Sequence, residues 1–358
     1  VVITAGGSHT CAVDVYRNLW CWGDNSNAQL GDGTTDSQLI GVHVLDEVAD
    51  VSAGWIHTCA VKVDGTAWCW GTNDLGQLGS GYDDQTEPTQ VSNLTNVESI
   101  TAGAEHTCAV ASGTAYCWGF NESGLLGDGN EPIDSPVPVQ VSNLTNVAMI
   151  DASDWHNCAR RHDLTVWGWG DNWDGELGPD FSGDYSAVPV QITDLTEIGH
   201  VAAGTGYSCA VDVYGVGYCW GANSLGQLGD ETTEDRPEPE VIVGPTDIDR
   251  VSAGVNHTLA LTSSGTVWSW GANGYTLAGS AIEVNGKLGT GSAETMSSTP
   301  VEISGLANIV WIDAGDEHSC AVDSEGVGYC WGLNTDGQLG TGDTTDSSTP
   351  AVVIVPDP

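Results

Sequence analysis

The sequence predicts an all-β protein, a seven-bladed β-propeller with four antiparallel strands in each blade. A short motif recurs seven times along the 358-residue chain, at a period of about 50 residues, and a period of this size is typical of propeller blades. Each repeat contains short runs rich in Val, Ile, Trp and Tyr, separated by Gly, Asn, Asp and Pro, which is the pattern of strands and turns. No repeat has room for a long amphipathic helix.

The recurring motif consists of Ala-Gly, three further residues, and then Ser/Thr-Cys-Ala-Val. A regular copy is "AGWIHTCAV", which starts at Ala53. Because each blade buries its faces against its neighbours, seven copies predict one closed ring and therefore a single domain. The repeats span approximately 1–48, 49–97, 98–147, 148–198, 199–248, 249–309 and 310–358.

Four strands follow one another in each repeat. The first is the short β-branched run before Ala-Gly, and the second is the His-Thr-Cys-Ala-Val run of the motif itself. The third is a Trp-rich segment, such as "WCWG" at 68–71. After "LGQLG" and an acidic loop, the fourth is the run that follows Pro, such as "PVEI" at 300–303. Short consecutive strands joined by turns predict one antiparallel sheet per repeat.

The second and third strands carry cysteines that face each other. Cys59 and Cys69 are symmetric about Asp64, and Gly65 ends a three-residue loop of the type I turn plus bulge kind. Counting outward places the two cysteines in a non-hydrogen-bonded pair, with Cα atoms about 4.5 Å apart, which suits a disulfide. Repeat three has a loop one residue shorter and cysteines one residue closer, so the facing relation survives. The predicted disulfides are Cys11–Cys21, Cys59–Cys69, Cys108–Cys117, Cys209–Cys219 and Cys320–Cys330.

Two repeats depart from this pairing. Cys158 has Gly168 at its partner position and is predicted to be unpaired, and repeat six has Leu259 and Ser269 instead of cysteines. No Cys-x-x-Cys occurs, so a zinc or redox motif has no support. Reduced, buried strand cysteines are the alternative to disulfides. Five bridges predict an oxidising location, which is extracellular, at the cell surface or periplasmic.

The charge is strongly negative, since 7 Lys and Arg stand against 49 Asp and Glu, for a net charge of −42. Such a surface repels phosphate, which predicts no nucleic-acid partner. No run of 18 apolar residues occurs, so direct membrane insertion is not expected. Solubility in a saline or extracellular setting accounts for the acidity; a basic partner is the alternative. No cofactor is predicted, with structural calcium in acidic loops such as 230–235 as the alternative. Because the chain begins at Val1, we expect a processed or excised piece.

The string "AG…H(T/S)CAV…G…WCWG.N..GQLG" resembles the regulator of chromosome condensation repeat family over essentially the whole chain, and in particular its cysteine-paired bacterial exported members. The resemblance implies a seven-bladed propeller but no single activity, because the family includes nucleotide exchange factors, photoreceptors, bacterial inhibitors and large adaptors. Light sensing in this family would need Trp interleaved with Arg, and "GWIHT" at 54–58 has Ile where Arg would be needed.

Residues that recur in every blade are predicted to be structural. His stands at the same position in six of the seven repeats, and Trp recurs in each third strand. A catalytic residue is usually singular, so we expect hydrogen bonding from the histidines and inter-blade packing from the tryptophans. No Ser/His/Asp constellation, phosphate loop or unique carboxylate pair stands out, which predicts no enzyme, no catalytic residue and no metal site.

A partner site must break the repeat symmetry somewhere. Repeat four replaces "KVDG" with "RRHD" at 160–163 and adds tryptophans nearby, and repeat six carries an insertion at about 275–285. Aromatic and Arg side chains are favoured at binding hot spots. A salt-bridged hairpin and a locally packed loop are the alternatives. The predicted partner-binding residues are Trp155, Arg160, Arg161, His162, Trp173, Tyr275, Leu277 and Ile282.

These observations predict a non-catalytic secreted or cell-surface propeller that acts as a protein–protein interaction scaffold, within a larger surface protein or assembly. Its partner is a protein, or a second copy of the chain through self-association. One alternative is a secreted enzyme inhibitor similar to the β-lactamase inhibitor protein of this family. The other is a guanine-nucleotide exchange factor, which the acidity disfavours.

Overall fold

The computed structural model describes residues 1–276 and 282–356. In this part of the chain, seven four-stranded antiparallel sheets follow one another, and each is built from consecutive strands of one repeat. The predicted all-β, seven-bladed propeller is therefore confirmed. One short 3₁₀ turn, Glu122–Gly124, is the helical element among the described residues. None of the described helical segments has the length and apolar character needed to cross a membrane.

The strand bounds follow the repeat pattern closely. The first strands are Val2–Ala5, Val48–Ala53, Val97–Ala102, Val147–Ala152, Ile198–Gly204, Ile248–Ala253 and Ile309–Ala314. The second strands are His9–Val13, His57–Lys62, His106–Ala111, His156–Arg161, Tyr207–Asp212, His257–Thr262 and His318–Asp323. The third strands are Leu19–Gly23, Ala67–Gly71, Thr114–Gly119, Val166–Asp171, Gly217–Gly221, Val267–Ala272 and Gly328–Gly332. The fourth strands are Gln38–Leu45, Gln85–Gln90, Ser135–Thr145, Tyr185–Ile192, Arg236–Val241, Met296–Glu302 and Ser347–Val352.

The core lies between adjacent blades and is anchored by a fully buried tryptophan on each third strand. Trp70 packs against apolar side chains of blade one and donates its indole N–H to the Gln29 carbonyl, 2.9 Å away. The same contact recurs at every described blade junction, so each indole is both buried and hydrogen-bonded. The seven tryptophans are Trp22, Trp70, Trp118, Trp169, Trp220, Trp270 and Trp331.

The ring closes between blades seven and one with no exchange of strands, because each sheet lies within one repeat. Trp22 Nε1 donates to the Gln338 carbonyl at 3.0 Å, and Thr10 Oγ1 donates to the same oxygen at 2.8 Å. The backbone N–H of Gly41 also reaches the Ile354 carbonyl at 3.1 Å. The Trp22 and Thr10 bonds are the same as those that join the other blades, for example Trp70 and Thr58 with the Gln29 carbonyl.

The second and third strands are cross-linked as the hairpin register predicts. Cys59 pairs directly with Cys69 across the ladder, and Cys108 pairs with Cys117 in the shorter hairpin of blade three. The described chain contains disulfides at Cys11–Cys21, Cys59–Cys69, Cys108–Cys117, Cys209–Cys219 and Cys320–Cys330, each with a Cα–Cα distance of 4.1 Å. Cys158 is free, buried, and opposite Gly168.

Candidate partner-binding face and central channel

The two ends of the propeller carry different kinds of connection. Because the strands of a sheet alternate in direction, the links between first and second strands and the long links between third and fourth strands lie at one end. We call this end the loop face; in blade four it comprises 153–155 and 172–184. The other end, the hairpin face, carries the tight turns between second and third strands, such as 162–165. Binding residues on propellers are commonly found on such loops.

A belt of histidines joins each blade to the next. His57 Nε2 lies 2.9 Å from Thr107 Oγ1, and that hydroxyl donates to the Gln77 carbonyl at 2.8 Å. The hydroxyl oxygen therefore accepts from the imidazole, which places the ring proton on Nε2. Burial lowers the pKa of His57 to about 3, so the ring is neutral.

The same contact runs around the ring, which confirms the structural role predicted for the histidines. In blade five Tyr207 takes the histidine position and donates its hydroxyl to the His257 carbonyl at 2.7 Å. The other histidine contacts are His9 with Thr58, His106 with Asn157, His156 with Ser208, His257 with Ser319, and His318 with Thr10.

The first strands line a central channel with a volume of about 300 Å³. In six blades the side chain of the residue before the Ala of the motif accepts a backbone N–H of the next blade, and blade five has Ala202 there. A hydroxyl holds this position in four blades, and Asp151 and Asp313 hold it in two others. Asp151 accepts the N–H of Ala203 at 2.8 Å, and Asp313 accepts the N–H of Ala5 at 2.7 Å. Asp50, Asp154 and Asp316 also line the channel.

The channel carries negative charge along its length. Burial raises the pKa of Asp151 to about 6, with the Asp313 charge adding to it, and burial raises the pKa of Asp50 to about 6. At the loop-face mouth, burial raises the pKa of Asp316 to about 7, and the carboxylates of Asp154 and Glu317 add to the effect. The charge of Lys287 acts in the opposite direction and lowers the pKa of Asp316, and a carboxyl group whose pKa is near 7 is protonated in part of the molecules at neutral pH.

A buried lysine of blade six, Lys287, lies beside this mouth. Lys287 takes the position that Gln occupies in most blades, and its Nζ lies 2.9 Å from Glu317 Oε2 and 3.0 Å from the Asp316 carbonyl. Its side chain is fully buried. The ammonium is therefore committed to contacts within the protein.

The predicted site residues Trp155 and Trp173 both lie on the loop face of blade four. Trp155 is 42% exposed and packs edge-to-face on Phe120, with ring centroids 6.5 Å apart, and Trp173 is 77% exposed. Trp55, on the corresponding loop of blade two, is 52% exposed and lines the channel. The sequence reasoning did not name Trp55 as a partner-binding residue.

The structure separates Arg160, Arg161 and His162 from these tryptophans. Trp155 precedes the six-residue strand His156–Arg161, whose far end is at the hairpin face, about 20 Å away at 3.3 Å per residue. Arg161 pairs with Asp163 at 3.0 Å, and Arg160 donates to the Arg161 carbonyl at 3.3 Å. Proximity in sequence therefore does not bring these residues together, and Arg161 has the salt bridge that the alternative expects, whereas partner binding by these residues stays a prediction.

The insertion of blade six also lies on the loop face, since it connects a third strand to a fourth. It forms a two-stranded hairpin, Gly274–Thr276 with Ile282–Val284, in which Tyr275 pairs with Glu283. Leu277 lies outside the described residues. Tyr275 and Ile282 belong to a blade that is not adjacent to blade four.

The acidic loops after "LGQLG" are organised by an asparagine at their base. Asn25 Nδ2 donates to Asp32 Oδ1 at 3.1 Å and to the Thr34 and Asp36 carbonyls. Asn223 contacts Asp230 in the same way. These carboxylates act as hydrogen-bond acceptors within their own loops, and nowhere in 1–276 or 282–356 do three or more His, Cys, Asp or Glu form a group suited to a metal ion.

Variability in the sequence could have narrowed the search for the mouth residues to two motif positions. The third and fourth residues of each motif both vary between repeats, and six of the third residues line the cavity: Gly7, Trp55, Asp154, Thr205, Val255 and Asp316. A position that varies within a constant motif is released from the folding requirements that the other positions share. We call these six residues the mouth ring.

Comparison with known proteins identifies the family. The model described as "Regulator of chromosome condensation (RCC1) repeat" matches residues 18–61, 64–110, 112–160, 165–211, 215–261 and 325–357. A second RCC1-repeat model matches residues 1–29, 48–77, 97–125, 248–276 and 309–338.

Similar proteins agree with this assignment. The ultraviolet-B receptor UVR8 of Arabidopsis thaliana is 33% identical over 366 residues, which cover 100% of this chain and 70% of that protein. Human WBSCR16 superposes with a TM-score of 0.83 at 21% identity, covering 95% of this chain and 94% of the other. Prp20p of Saccharomyces cerevisiae superposes with a TM-score of 0.79 at 21% identity, covering 94% and 86%. The chain belongs to the regulator of chromosome condensation (RCC1) repeat family.

Proposed function

We propose that this chain is a non-catalytic, secreted or cell-surface propeller that binds a protein partner through its loop face, as a scaffold within a larger surface protein or assembly. The exposed tryptophans Trp155 and Trp173 carry the proposal. A large apolar ring left in water by a rigid frame is costly unless it is covered by a partner, and Trp is enriched at binding hot spots.

Two further observations support the proposal. Five disulfides in one chain suit an oxidising compartment, since cytosolic thiols are kept reduced. The related propeller Prp20p is described by its binding to Gsp1p and histones, so this fold is used for protein binding in a relative.

The test of binding is capture from an extracellular fraction, followed by identification of the captured protein and titration of the purified pair by calorimetry. We expect Trp155→Ala/Trp173→Ala to weaken the purified complex at least about tenfold, as hot-spot truncation does. The matched control is Tyr16→Ala/Tyr214→Ala, which removes two exposed aromatic rings from the hairpin face and should leave the affinity unchanged. Equal affinity of the tryptophan variant and the wild type would reject the loop face.

The test of location is the intact mass of the protein isolated from its native source, with free thiols blocked at lysis. Five disulfides predict a gain of about 10 Da on reduction, because each bridge takes up two hydrogens. A chain with all cysteines blocked at lysis would place the protein in a reducing compartment and contradict the proposal.

A further inference from the structure

The mouth ring combines cavity, charge and exposed aromatic surface at one place. It surrounds the loop-face end of the channel, and it includes Trp55, Asp154 and Asp316 from three different blades. Six blades contribute a mouth residue, each from the same position on the link between its first and second strands. The blades therefore differ at the mouth only in the side chain that each places there.

The two carboxylates of the mouth ring differ in how the protein holds them. Asp154 accepts the Thr205 hydroxyl at 2.8 Å, which fixes its orientation. The Asp316 carboxylate receives no hydrogen bond from residues 1–276 or 282–356, although it lines the cavity. The charge of Asp154 raises the pKa of Asp316, so the two carboxylates interact across the mouth. A carboxylate with no donor of its own, aimed into a cavity, calls for a donor from outside.

Two tryptophans belong to the same loop face as these carboxylates. Trp55 lies in the wall of the cavity, and Trp155 follows Asp154 directly in the chain. An indole face attracts a cation placed over it, and the attraction adds to that of a nearby carboxylate. Lys287 contacts Glu317 and the Asp316 carbonyl, and its charge lowers the pKa of Asp316, which burial and the charges of Asp154 and Glu317 raise. The mouth therefore holds three carboxylates, those of Asp154, Asp316 and Glu317, beside one ammonium, and a second cation would balance this excess of negative charge.

We propose that the mouth ring binds a Lys or Arg side chain from a segment of the protein partner, with the cationic group between Asp154 and Asp316 and its stem against Trp55. The inference rests on the proposed function, because it names the chemistry of the partner at the same loop face. A cavity of about 300 Å³ admits a side chain rather than a folded domain. A guanidinium or ammonium with several donors suits carboxylates on opposite walls. A metal ion does not, since the described residues provide no cluster of ligands.

The experiment is calorimetric titration of the full chain with hexa-arginine and hexa-lysine peptides at physiological salt, with hexa-glutamate as the blank. We expect one cationic peptide per chain, and at least about tenfold weaker binding by Asp154→Asn/Asp316→Asn, as for loss of close charge pairs at an interface. Trp55→Ala should weaken binding several-fold, by loss of the cation–π contact.

The matched control is Glu238→Gln/Glu302→Gln, which removes two exposed carboxylates from the outer strands and should leave the affinity within about twofold. Equal weakening by this control would show attraction to the overall charge and overturn the proposal, as would wild-type affinity in Asp154→Asn/Asp316→Asn. Asp316→Asn by itself is the second variant, to be used if the double variant does not unfold cooperatively.

The outcome is separable from that of the proposed function. The identified partner could bind the Asp154→Asn/Asp316→Asn variant as tightly as the wild type but bind the Trp155→Ala/Trp173→Ala variant with lower affinity. The loop-face function then stands and the mouth ring proposal falls. If no partner is captured while the peptide titration behaves as expected, the mouth ring stands and the scaffold function falls.

Discussion

Blade two and blade four have the same four strands and the same register, but they fill equivalent positions differently. Cys59 and Cys69 form a disulfide in blade two, whereas blade four has Cys158 opposite Gly168 with no cross-link. The hairpin of blade four nevertheless keeps its pairing. The ladder and the inter-blade core are therefore sufficient for the register, and the disulfide adds stability to a hairpin that forms without it.

A second position separates the two blades by charge. Gln77 in blade two accepts the N–H of Leu75 with its side-chain oxygen at 3.0 Å, and Glu176 in blade four accepts the N–H of Asp174 at 2.9 Å. Burial raises the pKa of Glu176 to about 7, and the charges of Asp171 and Asp174 raise it further. Blade four thus keeps the hydrogen bond but gains a titrating group in the core.

Blade four also carries Trp155 and Trp173, the exposed tryptophans of the loop face. One blade can therefore lose a cross-link, accept a buried acid and present apolar rings while the other six blades hold the ring together. Single positions contribute to this difference to different extents, and their expected effects on the free energy of unfolding decrease in the order given below.

Removing the disulfide of blade two should have the largest effect. Cys59→Ala/Cys69→Ala removes a cross-link that restricts the unfolded chain, and so raises the conformational entropy of the unfolded state. We expect the free energy of unfolding to fall by about 2.5–3 kcal/mol. Chemical denaturation measures it. Cys158→Ala is the control, since Cys158 is free and its loss removes a small buried group without a cross-link. Equal losses in the two variants would show that packing, not the cross-link, stabilises these hairpins.

Completing the missing disulfide should stabilise blade four. Cys158 and Gly168 are Cα partners, and a Cβ on Gly168 would lie 3.1 Å from Leu177 Cδ2, so Leu177 must yield slightly. We expect Gly168→Cys to raise the free energy of unfolding by about 1–2 kcal/mol, which is below the full chain-entropy value because of this contact. Intact mass after reduction checks the bond. Two free thiols in the variant would contradict the register argument.

Neutralising Glu176 should change the pH dependence of stability. A carboxyl whose pKa rises from its usual 4.5 to about 7 on folding binds a proton more tightly in the folded state. Stability is then lost as the pH rises from about 4.5 to 7. Glu176→Gln should remove this loss and gain about 1–2 kcal/mol at pH 8, with no gain at pH 4. Gln77→Glu in blade two is the reverse change and should lower stability at pH 8. A gain that is independent of pH would contradict the assignment.

The smallest effect is expected from Ser153. Its hydroxyl lies 3.0 Å from both Nδ1 and the carbonyl oxygen of His156, whereas the equivalent Nδ1 atom of His57 has no hydrogen-bond partner within the described residues. Ser153→Gly should cost about 1 kcal/mol, the value of one buried hydrogen bond. Ser324→Gly, in an exposed turn, controls for the added backbone freedom of glycine. Equal losses in thermal denaturation would show that the bond to His156 contributes nothing.

The fold was predictable because its signals are local and repeated. The alternation of strand-forming and turn-forming residues, with a period near 50 residues, predicts the blades. The number of residues in one hairpin loop predicts that Cys59 faces Cys69, which the structure confirms. The candidate site was only partly predictable. Trp155 and Arg161 were grouped because they are close in sequence, but a strand holds them at opposite ends of the blade.

The sequence by itself determined the strands, the number of blades and the cysteine pairs, because each depends on contacts within one repeat. Only the tertiary structure decided which residues share the channel mouth. Asp154 and Asp316 belong to repeats four and seven, and although they share one motif position, no contact within a repeat brings them together. They meet because closure of the ring brings the same position of every repeat to one axis, where side chains that are distant in sequence line one cavity.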